Sequence, residues 1–157
     1  MRAAAPSPDN GRRRLVLGLG CERGTPPEEL VALALSVVDR PDDIAFVATL
    51  DVRAGEPAMQ AVVRHYGVPL VTFTAARLEA ETPRLANPSD IVFAHTGCHG
   101  VAEAAALAQA GEKARLVRGK TKSAHATVAI AESSQSFAAL SSQTDSASSH
   151  IDSRERV

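Results

Sequence analysis

A chain of 157 residues, 45% of them hydrophobic, is long enough to bury one compact core, and a formal charge of -1 argues against the basic stripe of a nucleic-acid binder. Aromatics make up only 3%, with no Trp, so the core must come from Ala, Val, Leu and Ile, as it does where helices pack on a buried sheet. Two cysteines, Cys21 and Cys98, are too few for a disulfide framework and form no Cys-x-x-Cys pair, so free thiols in a reducing, cytoplasmic setting are expected.

Residues 1–13 mix Pro, Asn, Gly and Arg without periodicity and are read as a disordered leader. Arg12, Arg13 and Arg14, the apolar run Leu15 to Gly20, and Cys21 have the outline of a lipoprotein signal. That run is only six residues, shorter than the ~7–15 of a signal core, and two of the six are Gly. It is read as a buried strand over Leu15-Val16-Leu17, ending in Gly18 and Gly20. No other stretch approaches the ~20 apolar residues of a membrane span.

Thr25 as N-cap, Pro26 in the first turn and Glu28 closing a capping box predict a helix with Leu30, Leu33, Ala34 and Val37 on one face, stopped by Pro41. Phe46-Val47-Ala48 is a second predicted strand, followed by Asp51 and Arg53 in a loop. Pro57 opens a second helix, with Met59, Val62, Val63 and Tyr66 at helical spacing and Gly67 as its stop. Leu70 to Phe73 is a third strand, and Thr74 caps a short helix through Leu78. Ile91-Val92-Phe93-Ala94 is a fourth predicted strand, and Val101 to Ala110 an Ala-rich helix between Gly100 and Gly111. Leu116-Val117 and Thr127 to Ala131 are separated by too few residues for a helical crossover, so they pair antiparallel. The Ser-rich segment 133–157 is read as a disordered tail. The expected body, 14–132, is an α/β domain: a three-layer α/β/α sandwich with a mixed, mostly parallel sheet and an antiparallel C-terminal hairpin.

Two loops carry the candidate chemistry. Gly18-Leu19-Gly20-Cys21-Glu22-Arg23-Gly24 feeds a helix start, where free backbone N–H groups and the helix dipole favour an anion. Its spacing is neither a dinucleotide fingerprint nor a P-loop, so a plain strand-to-helix turn is the alternative. Arg23 can bind a carboxylate bidentately or simply lie solvated. His95-Thr96-Gly97-Cys98-His99-Gly100 contains metal-ligand residue types, but adjacent Cys98 and His99 match no usual zinc spacing, so no metal is expected. A Cys98–His99 thiol nucleophile is equally unsupported by pattern. Glu103 and Glu56 stand at helix starts, where a carboxylate complements the dipole. Lys120 and Lys122 flank the turn of the final hairpin, as edge charges or as cations facing an anionic substrate.

Taken together, the first strand with Gly18-x-Gly20-Cys21-x-Arg23-Gly24, the Glu56 helix, and Gly100-Val101-Ala102-Glu103-Ala104-Ala105-Ala106-Leu107 resemble the cobalamin-biosynthesis family that unites CobE with the C-terminal domain of CbiG. The hairpin with Lys120-x-Lys122, then Ala126 to Ala131, resembles that family's ending, and the likeness covers about 15–132. The resemblance implies an α/β/α sandwich acting on a precorrin, a tetrapyrrole decorated with acetate and propionate carboxylates. It implies ligand contacts from Gly18, Gly20, Cys21, Arg23, Gly24, Gly100, Val101, Glu103, Lys120 and Lys122, with other cobalamin-pathway enzymes as further partners and no cofactor. In that family CbiG is linked to opening a lactone of cobalt-precorrin-5A with loss of acetaldehyde, and it has an additional N-terminal region. Only 14 residues precede the first strand here, so the stand-alone, CobE-like form is expected.

Two functions follow from the resemblance. One is a binding protein that protects or delivers a corrin precursor. The other is a lactone hydrolase, for which Glu103, Glu56 and His99 are the candidate bases. The first is the expectation, because each candidate base also has an ordinary structural role. A generic nucleotide-binding domain is disfavoured by the missing phosphate-binding fingerprints.

Overall fold

A computed structural model describes residues 13–135 and 137. Most of the expected leader and of the Ser-rich tail therefore lies outside the described residues. Packing runs past the boundary drawn at 132. Ser133 donates its N–H to the Arg14 carbonyl at 2.8 Å, and Phe137 packs edge-on against Phe46 at 5.0 Å between ring centroids.

The described chain runs β1 (Leu15–Cys21), α1 (Pro27–Val37), β2 (Ile44–Leu50), α2 (Pro57–Tyr66), β3 (Leu70–Phe73), α3 (Ala75–Glu79), α4 (Asp90–Thr96), α5 (Val101–Ala110), β4 (Arg115–Lys122) and β5 (Ala126–Glu132). Short 3₁₀ turns cover Pro41–Asp43, Asp51–Arg53 and Thr82–Arg84. The five-stranded sheet has the order β3-β2-β1-β5-β4. β1, β2 and β3 are parallel, and β5 pairs antiparallel with both β1 and β4. The domain is thus an α/β fold with a mixed sheet covered on both faces.

Alternation along β1 explains the layering. Leu17 and Leu19 face α1 and α2, in a core with Leu30, Ala34, Met59 and Val62. Val16 faces the other side, in a second core with Ala105, Ala106 and Leu107 of α5. Gly18 lies on that second face. A Cβ there would stand 2.0 Å from the Ala102 carbonyl oxygen and 2.9 Å from Ala106 Cβ. Absence of a side chain at 18 and methyl-sized ones on α5 let helix and sheet approach closely, which gives the alanine-rich segment its structural meaning.

Two local expectations are corrected. Ile91 to Ala94 is not a strand but the middle of α4. The Ser89 hydroxyl accepts from the Val92 N–H at 3.2 Å as an N-cap, and Gly97, at φ 85°, ends the helix by donating to the Phe93 carbonyl. A four-residue apolar run fits either element, and here these local caps decide it. The sheet consequently has two parallel and two antiparallel pairings. The Thr25 capping box is also absent. α1 begins at Pro27, and the Thr25 hydroxyl donates instead to the Glu22 carbonyl at 2.7 Å and the His125 carbonyl at 3.2 Å.

Candidate functional site

A cleft of about 740 Å³ opens where β1 and β2 end and the β4–β5 hairpin turns. This is the carboxyl edge of the parallel strands, where open α/β sheets bind ligands. Gly20 and Thr127 form part of the floor, with Val101 at the start of α5. A Cβ on Gly20 would come 2.7 Å from Thr127 Oγ1 and 3.3 Å from Val101 Cβ, so glycine keeps this floor open. Ile91 and Val92 of α4 add an apolar wall, and Ile91 is 73% exposed.

The charged lining is strongly biased. Arg23, Arg53, Lys120 and Lys122 face the cleft against a single carboxylate, Glu22. Arg53 is fixed through Nε, which donates to the Cys21 carbonyl at 3.0 Å. Among the described residues, Arg23, Lys120 and Lys122 make no ion pair. Four cations gathered on one cleft of a chain with net charge -1 focus positive potential there.

The sequence-predicted residues divide. Gly20, Cys21, Arg23, Gly100, Val101, Lys120 and Lys122 line the cleft. Gly18, Gly24 and Glu103 do not, and each has a structural role instead. Gly18 is the contact point of α5. Gly24, at φ 76°, donates its N–H to Glu56 Oε1 at 3.0 Å. The glycine turn therefore offers fewer free backbone donors than expected of it. The Glu22, Gly24 and Thr25 N–H groups are occupied by the His125 carbonyl, Glu56 and the Glu22 carbonyl. Pro26 and Pro27 have no N–H to offer. The cationic side chains are therefore the main groups at this rim able to meet an anion.

The three candidate bases are each engaged. Glu103, 2% exposed, accepts from the Ala86 and Asn87 N–H groups, from Asn87 Nδ2 and from the Lys120 N–H, all at 2.8–2.9 Å. Burial pushes its carboxyl up, but the Asn87, Lys120 and Ala86 donors together outweigh it and hold it below the ordinary range. It ties α5 to β4 and to the segment before α4. Glu56 holds the glycine turn. His99 bonds Glu79 through Nδ1 at 2.9 Å, lies 3.3 Å from Asp90 through Nε2 and stacks on Phe93. The bond from His99 lowers the Glu79 carboxyl.

The His95–Gly100 loop is split by the helical α4. His95, Thr96 and Gly100 reach the cleft, while Cys98 is fully buried. Burial pushes the Cys98 thiol up, away from the thiolate a nucleophile requires. Cys21, at the cleft, is likewise raised by burial. Among the described residues no three His, Cys, Asp or Glu side chains converge as a metal site.

Ile91, Val92 and His125 are cleft residues without a sequence expectation of that role, whereas Arg53, expected either on the rim or in a solvated loop, lies on the rim. Reading α4 as a strand hid the apolar wall. Arg53 was legible in principle, since it follows a strand whose end lies on the rim. His125 had no such signal, because its neighbours come from 100 positions away.

The family model described as "Cobalamin synthesis G C-terminus" matches residues 15–131. A protein of Sinorhizobium sp. named "Protein CobE" is 59% identical over 121 residues, covering 74% of this chain and 79% of that one. A "Cobalt-precorrin-5A hydrolase" of Priestia megaterium is 29% identical over 122 residues, 74% of this chain but 32% of the hydrolase. A crystal structure of CobE, "a protein from the cobalamin (vitamin B12) biosynthetic pathway", superposes with a TM-score of 0.69 at 34% identity, covering 76% of this chain and 89% of that one. The cobalamin biosynthesis protein chiG of Agrobacterium tumefaciens gives 0.56 at 31% identity, covering 77% and 99%.

Proposed function

Because this chain belongs to the cobalamin synthesis G C-terminus family, we propose that its cationic cleft binds a corrin-ring precursor of cobalamin biosynthesis, to protect it or deliver it to the next enzyme. The observation that carries this reading is the pairing of an apolar wall with Arg23, Arg53, Lys120 and Lys122 in one cleft. A precorrin has the complementary build, an apolar ring edged with carboxylates. The ring rests on Ile91, Val92 and Val101, and the carboxylates meet the cations. No helix among the described residues is long and apolar enough to cross a membrane, and the expected setting is the cytoplasm, with other pathway enzymes as the donors and acceptors of the ligand.

Lactone opening is not carried over from the hydrolase, since this chain spans only 32% of that relative. The hydrogen bonds at Glu56, Glu103 and His99 further favour binding without turnover. Two assays test the proposal. In calorimetry with a polycarboxylate corrinoid, replacing Arg23, Lys120 and Lys122 together by Gln weakens binding by about threefold to a hundredfold at low salt, each screened contact contributing about 0.2–1 kcal/mol. Incubation with cobalt-precorrin-5A releases no acetaldehyde beyond background. Undiminished affinity in the triple variant, or multiple turnovers, contradicts the proposal.

A further inference from the structure

His125 sits at the tip of the β4–β5 hairpin, half exposed, yet its backbone and one ring nitrogen are held. Its N–H donates to Glu29 Oε2 at 2.7 Å, and its Nδ1 bonds Glu29 Oε1 at 2.8 Å. Its carbonyl accepts from the Glu22 N–H at 3.0 Å and from the Thr25 hydroxyl at 3.2 Å. The Ser123 hydroxyl donates to the same Glu29 carboxylate. Glu29 belongs to the first turn of α1, 96 positions away in sequence. A short hairpin turn does not require such anchoring.

The anchoring has a chemical result. With Nδ1 directed at a carboxylate, the imidazole presents Nε2, which has no hydrogen-bond partner among the described residues, while the residue lines the cleft. Carboxylate on one nitrogen and an open second nitrogen fix the orientation and favour the doubly protonated ring. We infer that His125, oriented by Glu29, is a protonatable carboxylate anchor in the cleft, so that the protein binds a polycarboxylate ligand more tightly once the imidazole carries its proton. This rests on the reading of the cleft as a polycarboxylate site and adds to it a pH dependence.

The charges around the ring support the sign. Glu29 from α1 and Glu22 from the turn after β1 favour the imidazolium, and Glu29 raises it most. Desolvation opposes it; Arg23, Arg53, Lys120 and Lys122 line the same cleft, and a bound carboxylate neutralises them and adds a favourable partner. Affinity is therefore full when His125 is protonated in the free protein and falls as pH rises through the value it takes in the complex.

Cobyrinic acid, a corrin polycarboxylate, is a suitable probe. Its carboxylates stay ionised between about pH 6 and about pH 8.5, where imidazoles titrate and lysines do not. The dissociation constant of the wild-type protein rises across this range. His95 also borders the cleft, so the share of His125 is read by comparison with His125→Gln. That variant is expected to bind about fivefold more weakly than wild type near pH 6 and equally near pH 8.5, the gain of one charge-assisted contact. Glu29→Gln moves the transition to lower pH, and the His125 ring signal in NMR moves with it. A His125→Gln protein that keeps the wild-type pH profile overturns the inference and leaves the cleft reading intact. Absence of cobyrinic acid binding at both pH values overturns the cleft reading and this inference together.

Discussion

At Gly18 the α5 carbonyl of Ala102 occupies the space a side chain would need, at 2.0 Å from an ideal Cβ. Because the clashing atom is backbone, Gly18→Ala must shift α5 and destabilises the fold by about 1–3 kcal/mol. A denaturation midpoint equal to wild type contradicts this close approach. Glu103 makes the complementary case. Glu103→Gln turns one acceptor into a donor that faces an N–H, leaving buried groups unsatisfied at a cost of about 1–3 kcal/mol. Its effect is thus on unfolding, with ligand binding preserved in the folded fraction. Loss of binding without loss of stability means that the carboxylate has a role in the cleft itself. For the Glu29–His125 pair, the sign of the pH dependence follows from two shifts. Glu29 is lowered to about 2 by bonds from Ser123 and His125, so its contribution to stability is present above the ordinary carboxylate value and lost as pH falls through about 2. His125 is raised, so its share is present below the ordinary imidazole value and lost as pH rises through the raised one. Wild type minus Glu29→Gln in thermal melts is therefore largest in mildly acidic solution. A difference that instead grows above neutrality contradicts the assignment.

At the scale of elements, α4 stands apart. It has no buried residue, and Ile91 and Phe93 are exposed. Its ends rest on Ser89, Gly97 and the His99 contacts to Glu79 and Asp90. Few buried contacts mean a low local opening energy, so α4 amides should exchange with solvent sooner than those of α5, which is buried along nearly its whole length. Equal protection of the two helices contradicts that ranking. The same helix shows what sequence could and could not convey. Strands β1, β2 and β3, the Pro57 helix with its Gly67 stop and the terminal hairpin were legible because apolar runs and stop residues agreed. At 91–94 the apolar run pointed to a strand, and only the folded Ser89 and Gly97 caps show the segment to be a helix. Thr25 failed for another reason. It fits the capping pattern, but its hydroxyl donates to the local Glu22 carbonyl at 2.7 Å and, more distantly, to the His125 carbonyl, which only the folded hairpin brings near. The cleft divided likewise: Arg23, Lys120 and Lys122 stand on predicted rim elements, whereas His125 depends on a contact between the two ends of the domain.

For the whole molecule, one surface gathers the ends of two parallel strands, the hairpin turn, the start of α5 and the exposed wall of α4. The opposite face is closed by α1 and α2 over the larger-residue core. Among the described residues this asymmetry leaves the cleft as a place where apolar surface and cations without an ion pair meet, which is the basis for proposing a polycarboxylate ring as its ligand. Backbone-amide NMR during titration with a polycarboxylate corrinoid tests this most directly. The account predicts saturable shifts clustered at Gly20 to Arg23, Arg53, Ile91 to Thr96 and Lys120 to Thr127, shrinking as salt is added. Shifts confined to the α1–α2 face, or none at saturating corrinoid, would contradict it.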